Sequence, residues 1–210
     1  MPALEVLNLH LWRGERHVLR HLSFTLAEGQ ALQLLWPNGA GKTSLLRTLA
    51  GFLHPDEGTM RWDGQGTEAA RDAFHRDLAW LGHDLGLKGD LSALENLHFA
   101  VALRRGVTDA ELRAQLATAG LAERYFETAV RRLSAGQQRR VALARLALWG
   151  AKLWLLDEPA ANLDADGQGF VARVIDTHLQ AGGSALIATH QPLPLDARHA
   201  ALWHQPEVAP

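Results

Sequence analysis

The stretch that most constrains this chain is 30–51, QALQLLWPNGAGKTSLLRTLAG. Its apolar run, 31–36, predicts a buried parallel strand. Pro37, Asn38, Gly39, Ala40, Gly41, Lys42 and Thr43 follow at once, and Ser44 leads into a helical stretch with Leu45, Leu46 and Leu49 on its apolar side. Strand, tight loop and helix in succession aim backbone N–H groups inward at a helix N-terminus, where the dipole also favours negative charge. Such a loop suits a polyphosphate. Lys42 is placed to reach β and γ phosphates, and the Thr43 hydroxyl to ligate Mg²⁺. One position departs from the usual G-x-x-x-x-G-K-[ST] pattern, because its first Gly is here Trp36. Glycine permits a tight exit from the strand, so Trp36 predicts a strained turn or a narrowed pocket.

A second motif lies at 153–159, LWLLDEP, which puts two carboxylates at the end of a buried strand. Adjacent acids there are costly unless a metal and a water use them. Asp157 can hold Mg²⁺ through water, and Glu158 can polarise a water that attacks a γ phosphate. The plainer reading is a strand that runs into an acidic N-cap.

Bulk properties narrow the alternatives. The 210 residues suit one domain with a sizeable core. A net charge of −2 and a pI near 6.6 give no reason to expect a nucleic-acid surface. With no cysteine there are neither disulfides nor thiolate metal sites, which is compatible with a reducing compartment. The N-terminus lacks a basic-then-apolar signal pattern. The longest stretch free of Asp, Glu, Lys and Arg, 177–195, is broken by Gly182, Gly183, Pro192 and Pro194, so it is a poor membrane span. The seven Trp are a high count, and some are candidates to face a partner.

Residues 4–12 and 18–26 alternate around a turn at 13–16, which predicts an antiparallel pair, and 59–62 predicts a third strand of that layer. A short buried strand is expected at 78–82. Ser92 with Glu95, and Thr108 with Glu111, form capping boxes for two helices, the first at 93–103. Ser134 caps a helix through Leu148, 153–156 is a buried strand, Asp164 begins a helix and 184–189 is a further strand. The tail, 205–210, is expected to fray. Strands alternating with helices imply an α/β chain: a parallel-sheet core, a small antiparallel β layer and a helical insertion.

The most specific segment is Leu133, Ser134, Ala135, Gly136 and Gln137, LSAGQ, shortly before the Asp157–Glu158 strand end. These residues resemble the signature of ABC-type ATPases, usually LSGGQ, and the resemblance covers essentially the whole chain. It implies a P-loop NTPase fold with a RecA-like core: one ABC ATPase domain over 1–210, with core and β layer at about 1–91 and 130–210 and a helical subdomain at about 92–129. It implies ATP and Mg²⁺ as cofactors and a head-to-tail homodimer, in which the signature of one copy closes over ATP held by the other. His190 resembles the switch histidine that orients the attacking water, and 161–164, ANLD, the loop that crosses the dimer interface. His83 stands where a glutamine usually helps to hold Mg²⁺ and water. Trp12 and Arg13 lie where an adenine-stacking residue is usual; either can serve, and the Trp can equally be core.

The single phosphate loop, with room before Asp157 only for a helical lobe, fits a separate subunit serving a membrane partner. The stretches LAWLGHDLGLKGDLSALENLHF, LSAGQQRRVALARL and ATHQPL resemble the ATP-binding subunits of the cytochrome c maturation system (CcmA-type), historically called haem exporters. That likeness implies a peripheral subunit on the cytoplasmic side of the inner membrane. Its implied partners are CcmB/CcmC-like integral membrane subunits and, indirectly, a haem chaperone; no nucleic acid is implied. Three alternatives stand beside it: the ATPase of another ABC transporter, a weakly hydrolysing regulatory cassette marked by Trp36, and a soluble ABC-type factor. Eleven scattered His give no basis for haem binding by this chain.

Overall fold

The computed structural model describes residues 2–102 and 105–204. The chain opens with a long hairpin, β1 (Pro2–Arg13) and β2 (Arg16–Ala27), crosses to β3 (Ala31–Leu34) and enters α1 (Lys42–Leu49). A second hairpin, β4 (Glu57–Trp62) and β5 (Gln65–Gly66), is followed by α2 (Arg71–Asp77) and β6 (Leu78–Leu81). Next come α3 (Ala93–Ala102), α4 (Asp109–Thr118), two short 3-10 turns (Glu123–Tyr125 and Val130–Arg132) and the long helix α5 (Ala135–Trp149). Then follow β7 (Leu153–Asp157), α6 (Ala165–Gln180), β8 (Ser184–Ala188) and β9 (Ala200–Trp203).

Two sheets result, an antiparallel one in the order β2-β1-β4-β5 and a parallel one in the order β6-β7-β8-β3-β9. Every residue of β7 and β8 is buried, the mark of strands covered on both faces in a parallel sheet. Because neighbouring strands are parallel, β3, β7 and β8 all deliver their C-terminal ends, and so their loops, to one edge. The apolar side of α1, Leu45, Leu46 and Leu49, is buried with the inward residues of β1 and β2. A second core joins α3, α4, α5 and α6 to β7 and β8.

Several expectations need adjustment. The alternation of β1 and β2 is interrupted where Asn8 and His21 take φ of 47° and 48° and the register slips between Val6 and Leu9. There the Asn8 amide donates to Ser23 Oγ at 2.8 Å and its side-chain oxygen lies 3.0 Å from His21 Nδ1. The predicted strand 31–36 stops at Leu34, although the Leu35 amide still donates to the Trp203 carbonyl at 3.0 Å. The Thr108 cap forms, but the Glu111 carboxylate turns to Arg105 instead of completing a capping box. Neither α2 nor β9 is predicted: α2 is one buried Phe74 in a polar segment, and β9 is set by pairing with β3. The predicted end of α3 at Leu103 and the tail 205–210 lie outside the described residues. An isolated antiparallel bridge between Ser92 and Ala129 draws together the two ends of the helical segment.

His178, on α6, lies flat on Trp154 with ring centroids 3.8 Å apart and its Nε2 lies 3.2 Å from the Ser184 carbonyl. Gly183 makes room for it, since a Cβ there would fall 2.0 Å from the imidazole Cε1. Burial lowers the His178 pKa from 6.5 to about 4, so the folded protein keeps it neutral while the unfolded chain takes up a proton. Above pH 6.5 both states are neutral and the buried ring costs nothing in protonation, whereas stability is lost as pH falls from there toward about 4. A shift of this size is worth about 3 kcal/mol. Urea midpoints measured across that window are expected to fall steeply for the native chain and much less for His178→Phe, which keeps the ring stack.

Candidate functional site

The loop between β3 and α1 owes its shape to Gly41, the N-cap of α1. Its φ is 102°, and a Cβ there would lie 2.9 Å from Val18 Cγ1, so both backbone and space require glycine. No side chain caps the first turn of α1, which leaves its amides and the positive end of the helix free for an anion. Lys42 is buried, and its ammonium donates to the Trp36 carbonyl at 2.6 Å and to that of Pro37 at 3.4 Å. These carbonyls hold the cation beneath the loop.

A cavity of about 460 Å³ opens over this loop. Pro37, Asn38, Gly39, Gly41, Lys42, Thr43 and Ser44 line it, with Asp157 and Glu158 opposite. Of the predicted loop residues Ala40 alone is not in the lining; its amide donates to the Pro37 carbonyl and its methyl packs on the core. The Thr43 hydroxyl donates to Asp157 Oδ1 at 3.1 Å, joining the start of α1 to the end of β7. Asp157 is buried, and that burial raises its pKa; the Thr43 hydrogen bond opposes the shift, Glu158 adds to it, and Arg47 and His83 oppose it.

Glu158 follows in a left-handed conformation, φ 52°, with its amide donating to the Ala188 carbonyl at 2.9 Å. Its Oε2 lies 2.9 Å from Nδ1 of His190, so the end of β7 and the residue after Thr189 present an acid and an imidazole as a pair. The carboxylate is mostly covered and the imidazole half exposed.

The expectation for Trp36 is overturned. Its ring is buried in the core beside the phosphate loop, edge-on to Trp203 with centroids 5.1 Å apart, and Phe24 packs on the other ring. It is not in the cavity lining and does not have a positive φ, so it neither narrows the pocket nor strains the turn in the expected way. β9, which pairs with β3, supplies the Trp203 ring against which the indole packs.

Among the other predicted residues, Arg13 lines the cavity, whereas Trp12 does not. Trp12 is half exposed and lies flat on His17, 4.0 Å between centroids. His83 lines a neighbouring cavity of about 400 Å³ that shares Arg13, Arg47 and Asp157 with the first. Leu133, Ser134, Ala135, Gly136 and Gln137 are not in either lining. Ser134 and Gln137 form a complete capping box at the start of α5. Sequence reasoning missed Arg16, whose Nη2 donates to the Gly39 carbonyl at 2.7 Å, and Arg47, which lines both cavities. Arg47 stands four residues after Thr43 on α1, a spacing that puts both on one helix face and so was available as a signal.

Three of the His are not scattered. His10 Nδ1 lies 3.0 Å from His17 Nε2, and His10 Nε2 lies 3.1 Å from His21 Nδ1. These bonds use opposite nitrogens of His10, so the rings form a series and do not converge on one point. Among the described residues no group of three or more His, Asp or Glu could hold a metal by itself.

Residues 19–161 match the family described as ABC transporter. The chain is 48% identical over 191 residues to the cytochrome c biogenesis ATP-binding export protein CcmA 1 of Salmonella paratyphi A, covering 91% of each. It is 47% identical over 193 residues to the CcmA of Escherichia coli O157:H7, covering 92% of this chain and 91% of that protein. Among solved structures it resembles a putative ABC transporter ATP-binding protein from Pyrococcus furiosus, with TM-score 0.82, 24% identity and coverage of 95% and 96%. It also resembles the dimeric, post-hydrolysis ATP-binding cassette MJ0796 bound to ADP and Pi, with TM-score 0.78, 24% identity and coverage of 90% and 88%. These two likenesses bear on the fold.

Lys42→Ala removes the buried cation of the loop. Charge-assisted bonds of this kind contribute about 1.5–3 kcal/mol, so affinity for a fluorescent nucleoside triphosphate, measured by titration, is expected to fall about 10- to 100-fold with little change in the melting curve.

Proposed function

This chain belongs to the ABC transporter family, and within it to the cytochrome c biogenesis ATP-binding export proteins, and from that premise we propose that it is the ATP-hydrolysing subunit of a membrane complex that drives haem handling for c-type cytochrome assembly. The observation that carries the hydrolytic reading is the Glu158–His190 pair, 2.9 Å apart beside a phosphate-binding loop.

The triphosphate lies along the loop 37–44, its charge met by amides at the start of α1, by Lys42, and by Arg13, Arg16 and Arg47 around the rim. Binding draws the Lys42 ammonium from the Trp36 carbonyl to the phosphate oxygens. Glu158 accepts a proton from a water, His190 holds that water in line through its own bond to Glu158, and the water oxygen bonds to the γ phosphorus as the bond to the β–γ bridging oxygen breaks. ADP and inorganic phosphate leave.

Asp157 and Thr43 fit Mg²⁺: they are hard oxygen donors already within 3.1 Å of each other, and a buried carboxylate raised in pKa by burial gains from a cation. Since no complete cage exists among the described residues, the ion's remaining ligands would be phosphate oxygens and water, as suits Mg²⁺. Bound there, it supplies charge neutralisation to the phosphates. His83, beside Asp157 in the neighbouring cavity, would reach the ion or its water.

Two copies pair head to tail, so that Ser134 and Gly136 of one copy close over nucleotide held by the other; the position of the signature away from its own cavity supports this arrangement. No helix among the described residues is long and apolar enough to cross a membrane. By its likeness to the CcmA proteins, the subunit works from the cytoplasmic side of the inner membrane on CcmB/CcmC-like partners, which seat against the helical lobe at 92–129, and through them on a haem chaperone.

General-base catalysis contributes about 10²–10⁴-fold. Glu158→Gln is expected to bind ATP as the native chain does, to accumulate as a nucleotide-bound dimer in size-exclusion chromatography, and to lose turnover by that factor. Native turnover in this variant would remove Glu158 as the base.

A further inference from the structure

The broken ladder of the first hairpin gathers side chains that a regular register would keep apart. Asn8 and His10 lie on β1 and His21 on β2, and Asn8 and His21 stand at φ 47° and 48°, a conformation that is costly for any residue but glycine. Three donor atoms meet as a result: His21 Nδ1 lies 3.0 Å from Asn8 Oδ1 and 3.1 Å from His10 Nε2. The three rings of the histidine series share no point, but two of them share one with Asn8. His10 is buried at its floor, whereas Asn8 and His21 are exposed, so the point can be reached from solvent.

A single proton serves all three atoms. The Asn8 oxygen only accepts, so His21 carries its proton on Nδ1 and shares it between Asn8 Oδ1 and His10 Nε2. His10 then holds its own proton on Nδ1 and donates to His17 Nε2 at 3.0 Å. Two imidazole nitrogens and an amide oxygen turned on one another are lone pairs that a cation satisfies more fully than a shared proton does. Donors around a tetrahedral ion with bonds of about 2.0–2.1 Å stand about 3.3 Å apart, so the set needs to spread by only a few tenths of an ångström. The rest of the series has the form of an outer shell. An imidazole ligand donates its other N–H to a fixed acceptor, and His17, lying flat on Trp12 with centroids 4.0 Å apart, is such an acceptor for His10.

We propose that His10 Nε2, His21 Nδ1 and Asn8 Oδ1 form a binding site for a divalent transition-metal ion of the imidazole-preferring class, of which Zn²⁺ is the probe, with water completing the coordination. On binding, the His21 proton moves from Nδ1 to Nε2, and both rings stay neutral. The ion ties β1 to β2 where their ladder is broken, and it holds His10 in the orientation that donates to His17 beneath Trp12. Mg²⁺ takes oxygen ligands in preference to imidazole, so this site is chemically distinct from the Thr43–Asp157 position.

The test titrates the purified, untagged full chain without nucleotide, using Zn²⁺ in competition with a chromophoric chelator and Mg²⁺ as the control ion. Glycine suits both left-handed positions, so His21→Gly and Asn8→Gly each remove a donor without disturbing the backbone. His17→Phe keeps a ring against Trp12 and removes the outer acceptor. The native chain is expected to retain one Zn²⁺ per copy through gel filtration and to melt at a higher temperature with Zn²⁺ than with Mg²⁺. His21→Gly is expected to lose both the ion and the melting shift. Loss of an outer-shell partner weakens metal sites about 10- to 100-fold; His17→Phe is expected to fall by that factor and Asn8→Gly at least as far. A native chain that holds no stoichiometric Zn²⁺, or that melts alike with the two ions, would overturn the proposal. So would native Zn²⁺ affinity in His21→Gly, which would put the ion on other histidines. If His21→Gly does not fold, Asn8→Gly decides: weaker Zn²⁺ binding with a native melting temperature in metal-free buffer supports the assignment, and native affinity removes it.

Discussion

The hydrogen bond from Thr43 to Asp157 ties together the parts of this protein on which its chemistry depends. It links the first turn of α1 to the last residue of a fully buried strand, 114 positions away in sequence. For the bond to exist, β3 and β7 must run parallel and end at one edge, which requires the β8 strand between them and helices on both faces. The cost falls on Asp157, whose burial works against its charge, and on Glu158, which is held at φ 52° so that its side chain turns back over the sheet end toward His190. Local conformational rules are broken at the point where the chain needs charge in an apolar frame, the pattern expected of a functional site.

The same frame explains why a tryptophan is tolerated in place of the first loop glycine. What the loop needs at that position is a carbonyl, and Trp36 supplies it to the Lys42 ammonium as a glycine would. The side chain leaves on the opposite side, into a group of Phe24, Trp36 and Trp203 built where β9 flanks β3. Sequence position alone set the indole against the pocket; packing sets it against the core. The feature that motivated a weakly hydrolysing cassette thus has a structural role away from the nucleotide.

Where local pattern and tertiary demand agree, the sequence was a sufficient guide. The strand at β3, the buried runs of β7 and β8, the caps at Ser92 and Ser134 and the helix from Asp164 follow from periodicity and from donors that need acceptors. The glycine at 41 follows from the turn it makes. What the sequence hid were contacts between distant segments. β9 is a short run of four residues that becomes a strand because the edge of β3 is open. Arg16 enters the site by reaching from a hairpin to the Gly39 carbonyl. Arg145 reads as one more charge on a long helix until the Leu85 and Gly86 carbonyls are seen to accept from it.

The signature segment completes the logic by its location. One copy assembles loop, cations, Asp157 and Glu158 around a cavity, with His190 bonded to Glu158 from outside its lining, and the LSAGQ segment is not in that lining either. Ser134 and Gln137 satisfy each other's backbone groups, so the start of α5 is already rigid before any nucleotide arrives. A preformed helix N-terminus is suited to an anion presented by another molecule. On the proposed reading a second copy presents that anion, so the start of α5 in one copy meets the nucleotide held by the other. On that reading each site is completed by the helix start of the other copy, which ties hydrolysis to assembly.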